Sequence, residues 1–161
     1  MVPDVDETPL AGEAPGAMVT RLAVAKVSAV TSGQAGGTIV IGADTTVELD
    51  GRIIGKPSDK ADAGRILAML SGRTHHVHTA VAVGVAGGAM EGGSTCTEVQ
   101  FAALEPAVIE WYVDTGEPMD KAGAYGLQGL GSILVSSVTG SVSGVLGLPL
   151  DVVAALLTAV R

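Results

Sequence analysis

Residues 38–57 read TIVIGADTTVELDGRIIGKP. The apolar run through Ile41 and the alternation that follows to Leu49 predict a strand over 38–49, and Asp50-Gly51 is a strong two-residue hairpin signal leading to a short strand at 52–54. The chain is thus committed to a sheet. Within it Asp44 stands where a covered apolar run gives way to polar residues, so a carboxylate is placed at the end of a buried segment.

Working outward, Met18, Leu22, Ala25 and Ala29 recur at helical spacing and predict a helix over 16–31, stopped by Ser32-Gly33. Lys26 falls at the border of its apolar face, where a lysine ordinarily snorkels to solvent. Downstream, Pro57 and Ser58 open a second helix, with Ser58 as N-cap and Ala63, Ile66, Leu67 and Leu70 on its inner face. Strands are expected at 74–86 and 94–103, joined by the glycine-rich loop GGAMEGGS. Pro106 opens a third helix that carries Val108, Trp111, Tyr112 and Thr115 on one face and stops at Gly116. A strand at 132–138 and a helix at 149–160 complete the pattern. Strands and helices interleaved with two hairpins predict one α/β domain, 1–161, with a mixed twisted sheet flanked by helices.

Composition narrows the function. Of 161 residues, 47% are hydrophobic but only 2% aromatic, and the formal charge is -8. A chain so acidic repels a polyphosphate backbone and has few rings for base stacking, so a nucleic acid polymer is excluded as partner. A small anionic ligand remains, held by a few lysines with a divalent cation offsetting the carboxylates. Cys96 is the single cysteine, and the acidic MVPDVDETPL start is unlike a signal peptide, which points to a reducing cytoplasm. The apolar stretch 133–160 is interrupted by Ser, Thr, Gly, Pro149 and Asp151, short of a membrane span. A homodimer is left open.

Common nucleotide motifs are missing. There is no G-x-x-x-x-G-K-[ST] loop, and GLQGLG at 126–131 has the wrong spacing for a dinucleotide fingerprint. No nucleophile elbow occurs. Of His75, His76 and His78 only the latter two share a strand face, and no further ligand is visible near them in the sequence. What remains is a scatter of carboxylates and lysines: Glu7, Asp44, Lys56, and Glu117, Asp120 and Lys121 in EPMDKAGAYG. Each taken singly reads as a solvated surface charge.

Taken in order, VDET (5–8), RLAVAK (21–26), IGADTTV (41–47), DGRIIGKP (50–57), SGRTHHVHTAV (71–81), GEPMDKAGAYGLQG (116–129) and GLPL (147–150) resemble the motif series of the Maf family over nearly the whole chain. The resemblance implies a Maf/ITPase-like fold with a central substrate cleft and hydrolysis of a nucleoside triphosphate between its α- and β-phosphates. It further implies Asp44 as the proton acceptor, Asp44 and Glu7 as ligands of a divalent metal, Mg or Mn, and Lys26 and Lys56 as contacts to phosphate. Thr45 and Gln128 match base-selecting positions, and the ADTT and SGRTHHVHTAV blocks are similar to the dTTP/UTP pyrophosphatase branch. Gln128 is otherwise a turn residue bonding to backbone, and Asp120–Lys121 a local ion pair.

Two departures qualify what the resemblance implies. Family members open with an apolar strand and an S-x-S-P-R-R loop that cradles phosphate, which residues 1–16 do not contain, so a chain N-terminally truncated relative to the family is expected, with an exposed sheet edge and weakened phosphate binding. Before GLPL, Val142 and Gly144 stand where the family tends to carry an aromatic and an Asn, and the segment reads as strand and turn without a substrate contact. The alternatives are a non-catalytic nucleotide-binding or septum-formation regulatory protein, and a pyrophosphatase for purine or modified nucleotides.

Overall fold

The computed structural model describes residues 3–160. Its centre is one sheet of five strands in the order β2-β1-β3-β4-β5, with β1 Ile39–Leu49, β2 Arg52–Ile54, β3 Thr74–Val85, β4 Met90–Phe101 and β5 Val135–Thr139. The expected α/β domain with one helix-flanked sheet is the observed architecture. Every pairing is antiparallel, however, where a mixture had been expected. Hairpins join β1 to β2 and β3 to β4, while the links through helices, from β2 to β3 and from β4 to β5, set each new strand beside one that runs the opposite way.

Among the described residues five α-helices surround the sheet: α1 Pro15–Thr31, α2 Lys60–Leu70, α3 Pro106–Asp114, α4 Val142–Val145 and α5 Leu150–Ala159. On one face, α1 lays Val19, Ala23 and Val27 on Ala80 and Ala82. On the other, α2 and α3 cover the main core, where Val47, Val77, Val99 and Phe101 meet Ile66, Leu67, Leu70 and Tyr112. A satellite cluster joins Val81 and Val83 to Val153 and Leu156 of α5.

Local chemistry differs from expectation at four places. The N-cap of α2 is Asp59, whose carboxylate accepts from the Asp62 amide at 2.8 Å, rather than Ser58. Most of GGAMEGGS is strand, because β3 and β4 stay paired out to Gly84–Met90. Residues Leu130–Leu134 form a 3-10 turn and β5 begins only at Val135. Between Gly140 and Pro149 the chain forms the short helix α4, capped by Ser141 Oγ accepting from the Gly144 amide at 3.0 Å.

One feature of the sheet prepares the site. β2 pairs only with Val47–Leu49 of β1, so among the described residues the outer edge of β1 from Ile39 to Thr46 has no strand partner, and Ile39 and Ile41 are exposed there. Backbone groups along this stretch are open to a ligand.

Candidate active site

A cleft of about 700 Å³ lies along this open edge and is walled by Ala43–Val47, the chain after β2, and two loops. Because successive strand residues point to opposite faces, Asp44 looks toward α1 and Thr45 toward α4, and the cleft receives both. Glu7, Lys26, Lys56 and Gln128 line it as well. The structure therefore brings all six residues singled out from the sequence to one cavity.

Lys26 reaches Asp44 because α1 lies unusually close to β1. Gly42 makes this possible: a Cβ there would sit 2.8 Å from Val27 Cγ2. From the residue before Val27, Lys26 Nζ donates to Asp44 Oδ1 at 2.6 Å and stands 2.6 Å from Glu7 Oε1. The lysine is thus held between two carboxylates, and its snorkelling role at a helix border is set aside. Lys56 sits in the same cavity on the chain leaving β2, near enough to act on both Glu7 and Asp44 through its charge.

The two carboxylates respond to the shared lysine in opposite ways. The Asp44 side chain is 10% exposed, and burial raises its pKa above the ordinary aspartate value even though Lys26 pulls the other way. Glu7 is half-exposed, and the hydrogen bond from Lys26 holds it below the ordinary glutamate value. For Lys26, burial disfavours the charge but the bonds to Asp44 and Glu7 outweigh it, so its pKa is raised and it stays cationic. A desolvated carboxylate with elevated proton affinity is suited to take a proton from water.

The opposite wall is the loop Gly126–Gly131 with Gln128 exposed in it. Glu117 fastens the loop: its carboxylate accepts from the Tyr112 hydroxyl at 2.9 Å, the Leu130 amide at 3.0 Å and the Gly131 amide at 2.9 Å. Burial alone would raise the Glu117 pKa, but the two amides and the tyrosine outweigh it and the net shift is downward. Tyr112 is fully buried, as a packing role requires, whereas its neighbour Trp111 is exposed. Asp120 and Lys121 do form the local pair, at 2.6 Å, yet both line the cleft, and Lys121 also donates to the Glu117 carbonyl.

Several lining residues escaped the sequence reading. Val145, Leu146 and Gly147 wall the cleft beside Thr45, so the segment before GLPL contributes to the cavity after all. Tyr125 also lines it and bonds through its hydroxyl to His75 Nε2 at 2.8 Å. Burial pushes His75 down to about 4, which keeps it neutral in the core. Its neighbours His76 and His78 project from the other face, as the alternation predicts, and the strand register supplies partners that the sequence concealed: Glu48 Oε2 lies 3.2 Å from His76 Nδ1 and 3.7 Å from His78 Nε2, with Cys96 and Glu98 on β4 beside them.

Comparison with known proteins identifies what the chain is similar to. Residues 1–160 match the family model described as Maf-like protein. A protein of Shewanella denitrificans named dTTP/UTP pyrophosphatase is 52% identical over 160 residues, covering 98% of this chain and 80% of the relative. A protein of Symbiobacterium thermophilum with the same name is 48% identical over 157 residues, with 98% and 80% covered. One of Xylella fastidiosa, 49% identical with 96% and 82% covered, carries the broader name nucleoside triphosphate pyrophosphatase.

Proposed function

The chain belongs to the Maf family, and from that premise we propose that it hydrolyses dTTP and UTP between the α- and β-phosphates, releasing a nucleoside monophosphate and pyrophosphate in the cytoplasm. The names of its relatives support the substrate. The observation that carries the chemistry is Asp44, desolvated and bonded to Lys26 in a cleft that also holds Glu7, Lys56, Thr45 and Gln128.

In this reading Asp44 takes a proton from water as its oxygen attacks the α-phosphorus and the bond to the bridging oxygen of the pyrophosphate breaks. Raised proton affinity makes Asp44 a better base than an ordinary aspartate. Lys26 and Lys56 act as point charges on the phosphate oxygens, offsetting the charge that gathers on the leaving group. The base lies toward Thr45 and Gln128, on the other face of β1.

A divalent cation fits this donor set. Lys26 Nζ, 2.6 Å from one oxygen of each, brings Glu7 and Asp44 together, and with that ammonium turned to phosphate their hard carboxylate oxygens suit Mg²⁺ or Mn²⁺. Among the described residues no group of three such side chains is present, which leaves the other positions to water and phosphate, as Mg²⁺ prefers. Bound between Glu7 and Asp44, the ion would supply charge neutralisation at the phosphates.

The test is pyrophosphate release from dTTP and UTP with Mg²⁺ or Mn²⁺, in the native chain and in Asp44→Asn. Release that disappears in the variant is the expected result. Failure to release pyrophosphate with either ion, or undiminished release by Asp44→Asn, would refute the proposal.

A further inference from the structure

Thr79 does not line the cleft, yet its hydroxyl decides what Thr45 can offer there. It is fully buried in β3, directly opposite Thr45 in the β1–β3 register. Thr79 Oγ1 lies 2.8 Å from the Gly144 carbonyl oxygen and 2.9 Å from Thr45 Oγ1. A carbonyl only accepts, and two oxygens at 2.8 Å without a proton between them repel each other, so the single Thr79 proton must fill that contact. The contact to Thr45 must then be filled by the Thr45 proton. The order of donation is fixed as Thr45 to Thr79 to Gly144.

The acceptor at the end of the relay is anchored. Gly144 belongs to α4, its amide is held by Ser141 Oγ, and a Cβ on it would come 2.7 Å from Thr95 Oγ1, so no larger residue fits. Its carbonyl also accepts from the Gly147 amide at 2.9 Å, using its second lone pair. With its own proton spent inward, Thr45 Oγ1 presents only lone pairs to the cleft.

We infer that Thr79 is a positioning residue for base selection: by taking the Thr45 proton it makes Thr45 an obligate acceptor, which favours bases whose ring nitrogen carries a proton, such as uracil and thymine, over cytosine, whose N3 carries a lone pair. Gln128 cannot supply this discrimination by itself, because a carboxamide can turn either its donor or its acceptor end to the base. The inference rests on the proposed pyrimidine triphosphate site and deepens it.

The experiment compares kcat/KM for UTP and CTP, and equilibrium binding of the same two nucleotides by calorimetry, in the native chain, Thr79→Val and Thr79→Ser. Thr79→Val keeps the shape but removes the relay, freeing the Thr45 proton to turn into the cleft. The preference for UTP over CTP then falls by roughly tenfold, the scale of one mispaired polar contact. Thr79→Ser keeps the native preference, a rescue that a purely structural role does not explain. Should Thr79→Val not fold, Thr79→Ala, which equally lacks the hydroxyl, carries the same expectation. An unchanged UTP-to-CTP ratio in folded Thr79→Val, while the native chain prefers UTP, overturns the relay alone. A native chain that neither hydrolyses nor binds UTP overturns the parent reading and the relay with it, and equal binding of UTP and CTP by the native chain overturns the relay even where turnover is absent.

Discussion

Asp44 lines the cleft and Glu117 fastens the loop that forms its opposite wall, yet their surroundings have given the two carboxylates opposite properties. Around Asp44, a strand and a helix close together without backbone donors aimed at the carboxylate, so burial dominates and the proton affinity rises. Around Glu117, a turn and a loop present two amides and a tyrosine hydroxyl, and together they outweigh burial and lower it. A group whose bonds are all committed to the fold is a structural clasp. A group paired only with a lysine that it shares with Glu7 is available to a proton, a metal or a substrate.

The sharpest break of this contrast comes from neutralising each carboxylate in turn. Asp44→Asn is expected to lower the rate of pyrophosphate release by about 10²- to 10⁴-fold, the usual contribution of a general base, without lowering the thermal midpoint. Glu117→Gln is expected to do the reverse, costing about 1–2 kcal/mol of stability once solvent screening is allowed for, with turnover at saturating substrate largely kept. Thermal unfolding and steady-state assays on the two variants measure both sides, and matched losses in both would erase the distinction.

A smaller effect isolates the lysine. Lys26→Met removes the cation that favours ionised Asp44, so the acidic limb of the kcat/KM profile moves up by about one pH unit, in addition to any loss of phosphate contact. A limb that stays in place would mean that Asp44 is not the titrating group.

The smallest effect is on the pH dependence of stability, and the two carboxylates differ in sign. Glu117 has a depressed folded value, so its contribution is present above the ordinary value of 4.5 and is lost as pH falls through the folded value. Asp44 has a raised folded value, so it favours the fold below its ordinary 3.8 and that advantage is lost as pH rises through the raised value. Glu117→Gln should therefore be more destabilising at pH 7 than at pH 3, and Asp44→Asn should be relatively more favourable at pH 7. Thermal midpoints at the two pH values check both signs.

Much of this cleft was legible in the chain. The alternation through TIVIGADTTVEL located β1 and put Asp44 and Thr45 on opposite faces of it, and the helical spacing of α1 placed Lys26 beside an apolar stripe. Ordered motifs added Glu7, Lys56 and Gln128, which no periodicity marks. The clasp was half visible: Glu117 was noticed as one charge among several, whereas its partners are a tyrosine read as packing and backbone amides that a sequence does not display.

By itself, then, the sequence determined which segments are strand or helix, through local periodicity, and the family, through its ordered motifs, which also named the charged candidates for the site. Only the tertiary structure decided that the sheet is antiparallel throughout, that Gly42 lets α1 descend until Lys26 lies between Glu7 and Asp44, and that Thr45 must donate to Thr79. Those outcomes depend on strand register and close approach between distant segments. The direction of a hydroxyl proton, and the burial that sets a carboxylate's affinity, arise from neighbours that meet only when the chain has folded.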